Sequence, residues 1–88
     1  MSDKLVSFIM SAYNSEISVG NAIESLLSQS YSNINLHIMD DASSDKTRNV
    51  IETYASTHDN VYTYYNKKNI GLTKSLNKLI KNADGFYL

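Results

Sequence analysis

Residues Ile34 to Asp45, reading I-N-L-H-I-M-D-D-A-S-S-D, constrain the fold more than any other stretch. Ile34, Leu36 and Ile38 alternate with Asn35, His37 and Met39, and a period of two over apolar and β-branched residues predicts a strand. It runs into two adjacent carboxylates, Asp40 and Asp41, then small polar residues and a helical pattern. In a parallel α/β sheet, ligands sit just beyond the carboxyl ends of the strands. Adjacent acids repel and buried charges need partners, so this turn is the first place to look for chemistry.

The remaining chain fits around that strand. Leu5 to Met10 is a short run apolar on both faces, as in a central parallel strand, and Ser11 to Ser15 ends it with turn formers. Val19, Ala22, Ile23, Leu26 and Leu27 make one helical face, with Ser18 as expected N-cap and Gly20 costing about 1 kcal/mol. Ser30 to Asn33 is a turn. After the acid pair, Ser43 or Ser44 is expected to cap a second helix whose buried face is Thr47, Val50, Ile51, Tyr54 and Ala55, with Asp45 at its positive end. Val61 to Tyr65 is a third strand, Asn66 to Gly71 a polar loop, and Leu72, Leu76, Leu79, Ile80 and Ala83 a third helix closing near Asp84-Gly85. Phe86-Tyr87-Leu88 reads as the start of a fourth strand. The alternation predicts right-handed crossovers, a parallel sheet and helices on its faces. Strand one is expected at the centre, giving the order 3-2-1-4 with strand three at an edge.

Composition narrows the partners. Eighty-eight residues, 42% hydrophobic and 19% charged, describe one small folded unit that buries about 60–65% of its unfolded surface. A net charge of −1 gives no electrostatic case for nucleic acid or an anionic membrane. Cysteine is absent, so disulfides and thiolate chemistry are excluded. No apolar run reaches the roughly 18–20 residues of a membrane span, and a cytoplasmic location is expected.

Each candidate site has a plainer account beside it. Asp40-Asp41 also suits a solvated turn capping the next helix. Asp41, Ser43, Asp45 and Glu52 match four positions of a calcium loop, but Lys46 stands where the sharp turn needs glycine. A D-x-S-x-S metal site fails at Asp45. A phosphoacceptor receiver fails because strand one ends in Ser11 and strand three in Asn66, and no G-x-G-x-x-G follows a strand. Tyr13 is either a half-packed loop residue or a stacking platform for a nucleobase. His37 reads as half-buried, His58 as a turn residue, Tyr62, Tyr64 and Tyr65 as sheet packing, and Lys67-Lys68 as a solvated loop.

Five segments together resemble the N-terminal half of the family 2 glycosyltransferases, which have the GT-A fold. V-S-F-I-M-S-A-Y-N is similar to that family's first strand and loop, and A-I-E-S-L-L-S-Q-S-Y to its first helix. I-M-D-D-A-S-S-D-K-T resembles its acid turn, N-K-K-N-I-G-L-T-K-S-L-N the approach to its third helix, and A-D-G-F-Y-L the approach to its metal site. The resemblance implies a three-layer α/β/α fold with a mostly parallel, Rossmann-like sheet. It also implies that Tyr13 stacks on the base of a nucleotide-sugar donor and Asp41 accepts a base N–H, typically N3–H of uracil. Ser11, Ala12 and Asn14 would shape the pocket, Asp40 would support the turn, and Asn69 to Leu72, Gly71 included, would lie alongside. Ser11 replaces a frequent proline and Ala42 a frequent glycine.

The same resemblance implies that residues 1–88 are one partial domain, cut before the D-x-D motif that binds a divalent metal, magnesium or manganese. No metal or catalytic residue is then expected within it. A complete enzyme would transfer a sugar, with UDP-sugar as expected donor, to a glycan, lipid or protein hydroxyl with inversion, in cell wall or polysaccharide biosynthesis at the inner membrane face. The fragment is expected to be inactive and to self-associate through its fourth strand. A non-catalytic nucleotide-binding module is the alternative.

Overall fold

The alternating stretch forms the strand with the most complete cover, β2 (Ile34–Asp40), in which all seven residues are buried. The computed structural model describes residues 4–29, 32–82 and 86–87. Around β2 the order is β1 (Val6–Ala12), α1 (Ser18–Leu27), then after β2 α2 (Thr47–Thr57), β3 (Val61–Tyr65), α3 (Leu72–Asn82) and β4 (Phe86–Tyr87). All strand pairs are parallel, and the sheet runs β3-β2-β1-β4. Register places Phe8 opposite Leu36 and Leu36 opposite Val61.

Pleating sends alternate residues to opposite faces. One face carries Phe8, Met10, Ala12, Ile34, Leu36 and Ile38, which join Val19, Ile23 and Leu26 of α1 and Ile51 of α2 in a single apolar cluster. Leu36, Ile38, Ile23 and Ile51 are fully buried, each contributing about 1.5–3 kcal/mol of transfer free energy. Helix α1 lies directly against α2; a methyl at Gly20 would meet Val50 Cγ1 at 3.5 Å, an ordinary van der Waals contact, so their approach does not require glycine. The other set, Ser7, Asn35, His37 and Met39, is also buried, and α3 packs on β1 and β2 through Leu79 and Ser75.

Several expectations change. β1 continues through Ser11 and Ala12, because Met39 and Asp40 of β2 extend alongside and pair with them. β1 is an interior strand as expected, but β2 is the one enclosed along its whole length. It has a long paired neighbour on each side, whereas β1 meets β4 over only two residue pairs. His37 is buried, at 4% exposure, stacked on Tyr62 with ring centroids 4.9 Å apart and bonded to the Tyr64 hydroxyl at 2.7 Å. Ser18 does not cap α1; it is the helix's first residue, and the carbonyl of Ser15 receives the N–H groups of Ser18 and Val19. Neither Ser43 nor Ser44 caps α2. Asp45 Oδ1 accepts from the Thr47 N–H at 2.9 Å instead. The expected turn at Ser30-Tyr31 and the expected helix end at 83–85 lie outside the described residues.

Candidate functional site

The carboxyl ends of β1, β2 and β3 meet at one edge of the sheet, and alternation splits the acid pair there. Asp40 closes β2 opposite Ala12, on the α2 side, while Asp41 turns toward the loop that leads to α3. Two like charges thus leave one backbone in opposite directions, which relieves their repulsion.

Asp41 is 2% exposed and fully engaged by the 66–71 loop. Its Oδ1 accepts from Asn66 Nδ2 at 2.8 Å and from the Ile70 N–H at 2.9 Å, and its Oδ2 accepts from the Gly71 N–H at 2.9 Å. Burial by itself would raise its pKa. The N–H of Ile70, the Asn66 amide, the N–H of Gly71 and the Ser75 hydroxyl outweigh burial and hold it below the usual carboxylate value. Gly71 has φ +90°, a conformation glycine adopts without strain, and this aims its N–H at the carboxylate. Asn69 Nδ2 reaches the Asp41 carbonyl at 3.4 Å, and Lys78 Nζ donates to Asn66 Oδ1 at 2.9 Å.

Asp40 is equally buried but less committed. Its Oδ1 accepts from the Ser43 N–H at 3.3 Å, and the side chain lines an open cleft of about 550 Å³ with Ala42, Ser43, Arg48, Tyr65, Asn66 and Lys67. The Arg48 guanidinium lies 4.0 Å from the centre of the Tyr65 ring and 3.5 Å from Glu52, forming one wall. Ala42 has φ +61°, which costs an alanine about 1–2 kcal/mol and explains why glycine suits this position.

The β1–α1 loop faces the acid turn. The Asp41 N–H donates to the Ala12 carbonyl at 2.9 Å, so Tyr13 and Asp41 leave adjacent strand ends. Tyr13 is 49% exposed, with its ring open to solvent. Asn14 sits at φ +47°, and its side chain accepts from the Ser44 N–H at 2.8 Å. The expected site residues therefore converge on one edge but not in one cavity. Asp40 lines the large cleft, Asn14 borders a second depression beside Asp45, and Ser11 and Ala12 border a third, while Asn69 and Gly71 hold Asp41 from behind. Asn66, Asp45 and Thr47 lie within the segments that carry the family resemblance, but sequence reasoning gave none of them a part in the site.

Among the described residues, no group of three or more His, Cys, Asp or Glu side chains could hold a metal ion, and no helix is long and apolar enough to cross a membrane.

The chain is an α/β unit with an open parallel sheet, polar loops and two acids at the carboxyl end of a central strand, the edge at which such sheets bind ligands. The family model for glycosyl transferase family 2 matches residues 7–88, and the chain belongs to that family. It is 43% identical over 84 residues to EpsE of Bacillus subtilis (strain 168), covering 94% of this chain and 30% of that protein. It is 35% identical over 88 residues to WfgD of Escherichia coli, a UDP-Glc:alpha-D-GlcNAc-diphosphoundecaprenol beta-1,3-glucosyltransferase, covering all of this chain and 34% of WfgD. The chain thus spans about a third of the length of these relatives. Its fold matches S. aureus TarS 1-349 in complex with UDP-GlcNAc at a TM-score of 0.82 and 29% identity, over 91% of this chain and 24% of TarS 1-349. It also matches the mannosyltransferase PcManGT of Pyrobaculum calidifontis, in complex with GDP-Man and Mn2+, at a TM-score of 0.83 and 23% identity, over 91% of this chain and 24% of that one. The chain is thus family 2 glycosyltransferase sequence on a GT-A-like fold.

Proposed function

We propose that residues 1–88 form the nucleoside-binding part of an inverting glycosyltransferase that uses a UDP-sugar. The observation that carries this reading is the bond between the Asp41 N–H and the Ala12 carbonyl, which sets a half-exposed ring and a carboxylate on neighbouring strand ends. Tyr13 stacks on the base. Asp41 Oδ2 accepts from the Gly71 N–H, and a carboxylate oxygen has two acceptor sites, so a base N–H can share it. At 2% exposure that oxygen is reached only if the 69–71 segment yields, so Asn69 and Gly71 respond to the base. Ser11, Ala12 and Asn14 shape the wall, and Asp40 holds the turn through Ser43.

The sheet order β3-β2-β1-β4, with α1 and α2 sharing one cluster and α3 outside it, supports the three-layer, Rossmann-like N-terminal half of a GT-A domain. The TarS complex and the name of WfgD support a UDP-linked donor. A whole enzyme in this reading takes a divalent metal through acids outside these residues and acts on a glycan, lipid or protein hydroxyl at the inner membrane face. The 88 residues alone carry out no transfer, and they self-associate through the side of the sheet that β4 leaves open.

Without a metal to hold the diphosphate, stacking supplies about 1–3 kcal/mol and one charge-assisted bond about 1.5–3 kcal/mol. Reduced by association entropy, these give a dissociation constant on the order of millimolar. A chemical-shift titration with UMP is expected to move the amides of Tyr13, Asp41 and Gly71 and leave the His58 turn in place. Tyr13→Ala and Asp41→Ala should each weaken it. If neither variant alters a measurable titration, the nucleotide reading is wrong.

A further inference from the structure

Three successive amides after Tyr13 are tied to the loop between β2 and α2 and to the first residue of α2. The Asn14 N–H donates to Ser43 Oγ at 2.9 Å, the Ser15 N–H to Thr47 Oγ1 at 2.7 Å, and the Glu16 N–H to Asp45 Oδ2 at 3.3 Å. The reverse direction is also used: Asn14 Oδ1 accepts from the Ser44 N–H, and Glu16 Oε1 from the Lys46 N–H at 3.2 Å. Of all these side chains only Thr47 is fully buried, at 0% exposure. Its hydroxyl works in both senses, accepting from Ser15 and donating to Asp45 Oδ1, which also receives the Thr47 N–H. That hydroxyl is among the causes that hold the Asp45 pKa below the usual carboxylate value, and the first of them.

We infer that Thr47 is a positioning residue for Tyr13, fixing the loop on which the base-stacking ring is carried. A hydroxyl in a dry site has one arrangement that satisfies both its donor and its acceptor, so it sets the place of the Ser15 amide. Two residues upstream, the Tyr13 carbonyl accepts from Ser15 Oγ at 2.8 Å, which couples the fixed amide back to the tyrosine's own backbone. The ring needs this help because its 49% exposure leaves it little packing to hold it. Pre-organising the platform lowers the ordering cost of stacking. The inference rests on the nucleotide reading above and gives a role in that site to Thr47, which closes the acid-turn segment but has no role assigned by the resemblance.

Thr47→Val keeps the shape and removes both hydrogen bonds, while Thr47→Ser keeps the hydroxyl. UMP affinity by chemical-shift titration and amide hydrogen exchange are measured on the same samples. The expected result for Thr47→Val is a five- to tenfold weaker UMP constant, with exchange accelerated at residues 14–16 and unchanged at Leu36 and Ile38. Thr47→Ser should return both to within about twofold of the parent. If Thr47→Val does not fold, Asp45→Ala removes the acceptor of the Thr47 hydroxyl and of Glu16 from a partly exposed position, with the same pattern expected. Loosened amides at 14–16 with UMP affinity intact would overturn the inference, as would exchange accelerated equally in the β2 core. No UMP shift in the parent protein would instead overturn the nucleotide reading and take this role with it.

Discussion

The two faces of the sheet are built by different rules. Toward α1 and α2 the strands present Phe8, Met10, Ile34, Leu36 and Ile38, and the cover is apolar almost without exception. The face that includes Ser7, Asn35, His37 and Met39 is buried at these positions but largely polar, with Ser75 of α3 packed on it as well. The first face is held by volume and area, which tolerate similar replacements. The second depends on individual pairings, such as His37 with Tyr64 and Asn66 with both Asp41 and Ser75. The polar face leads into the acid turn through Asp41, so the demanding chemistry of the site and of the fold share one side.

Breaking the apolar face should have the largest effect. Leu36→Ala empties a position with 0% exposure at the junction of β1, β2 and β3 and is expected to cost about 3–4 kcal/mol, read from denaturant unfolding. A loss under about 1 kcal/mol would mean that this face is loosely packed.

On the polar side, Asp41→Ala leaves the N–H groups of Ile70 and Gly71 and the Asn66 amide without their acceptor, for an expected loss of about 2–3 kcal/mol. The effect should depend on pH. Against the cost of burial, its hydrogen bonds hold the folded pKa of Asp41 below the ordinary carboxylate value, so its contribution is present above that ordinary value and is lost as pH falls through the folded one. The difference in unfolding free energy between the parent and Asp41→Asn should therefore shrink as pH falls from 5 to 2. A constant difference would show that the charge does not matter.

The smallest effect sharpens the contrast. Ser7 Oγ is buried with no hydrogen-bond partner among the described residues, opposite Asn35, whose Oδ1 is in the same state. Removing an unsatisfied hydroxyl is nearly free, so Ser7→Ala should change stability by less than about 1 kcal/mol, in the stabilising direction. Its melting temperature beside that of Ser75→Ala, which loses a bond to Asn66, separates polar groups that hold the face from those that merely occupy it.

Much of the apolar face was legible because its signals are local. Ile34, Leu36 and Ile38 alternate within five residues, and Val19, Ile23 and Leu26 repeat within eight. The polar face was not, because nothing near Asn35 and His37 announces that α3 will arrive to cover them. The alternation told which residues share a side but not that both sides are dry, so His37 read as half-buried. The site shows the same division. Tyr13 and Asp41 stand out as an aromatic and an acid at strand ends, but the work of Thr47 and Asp45 depends on partners about thirty residues earlier. The caps fail for a similar reason: Ser18 has the right chemistry at a helix start, yet the Ser15 carbonyl already organises that turn.

The sheet order also bears on how the chain assembles. Val6 pairs with Ile34 across a single crossover, yet it also pairs with Phe86, almost the whole chain away. Closing the longer span costs only about 0.9 kcal/mol more in chain entropy than the shorter one. The shorter span, however, is rewarded by seven register pairs and the longer by two. During synthesis β1, β2 and β3 can therefore zip in the order they are made, with β4 as the last rung. Until that rung arrives, the outer edge of β1 is open to any other extended segment.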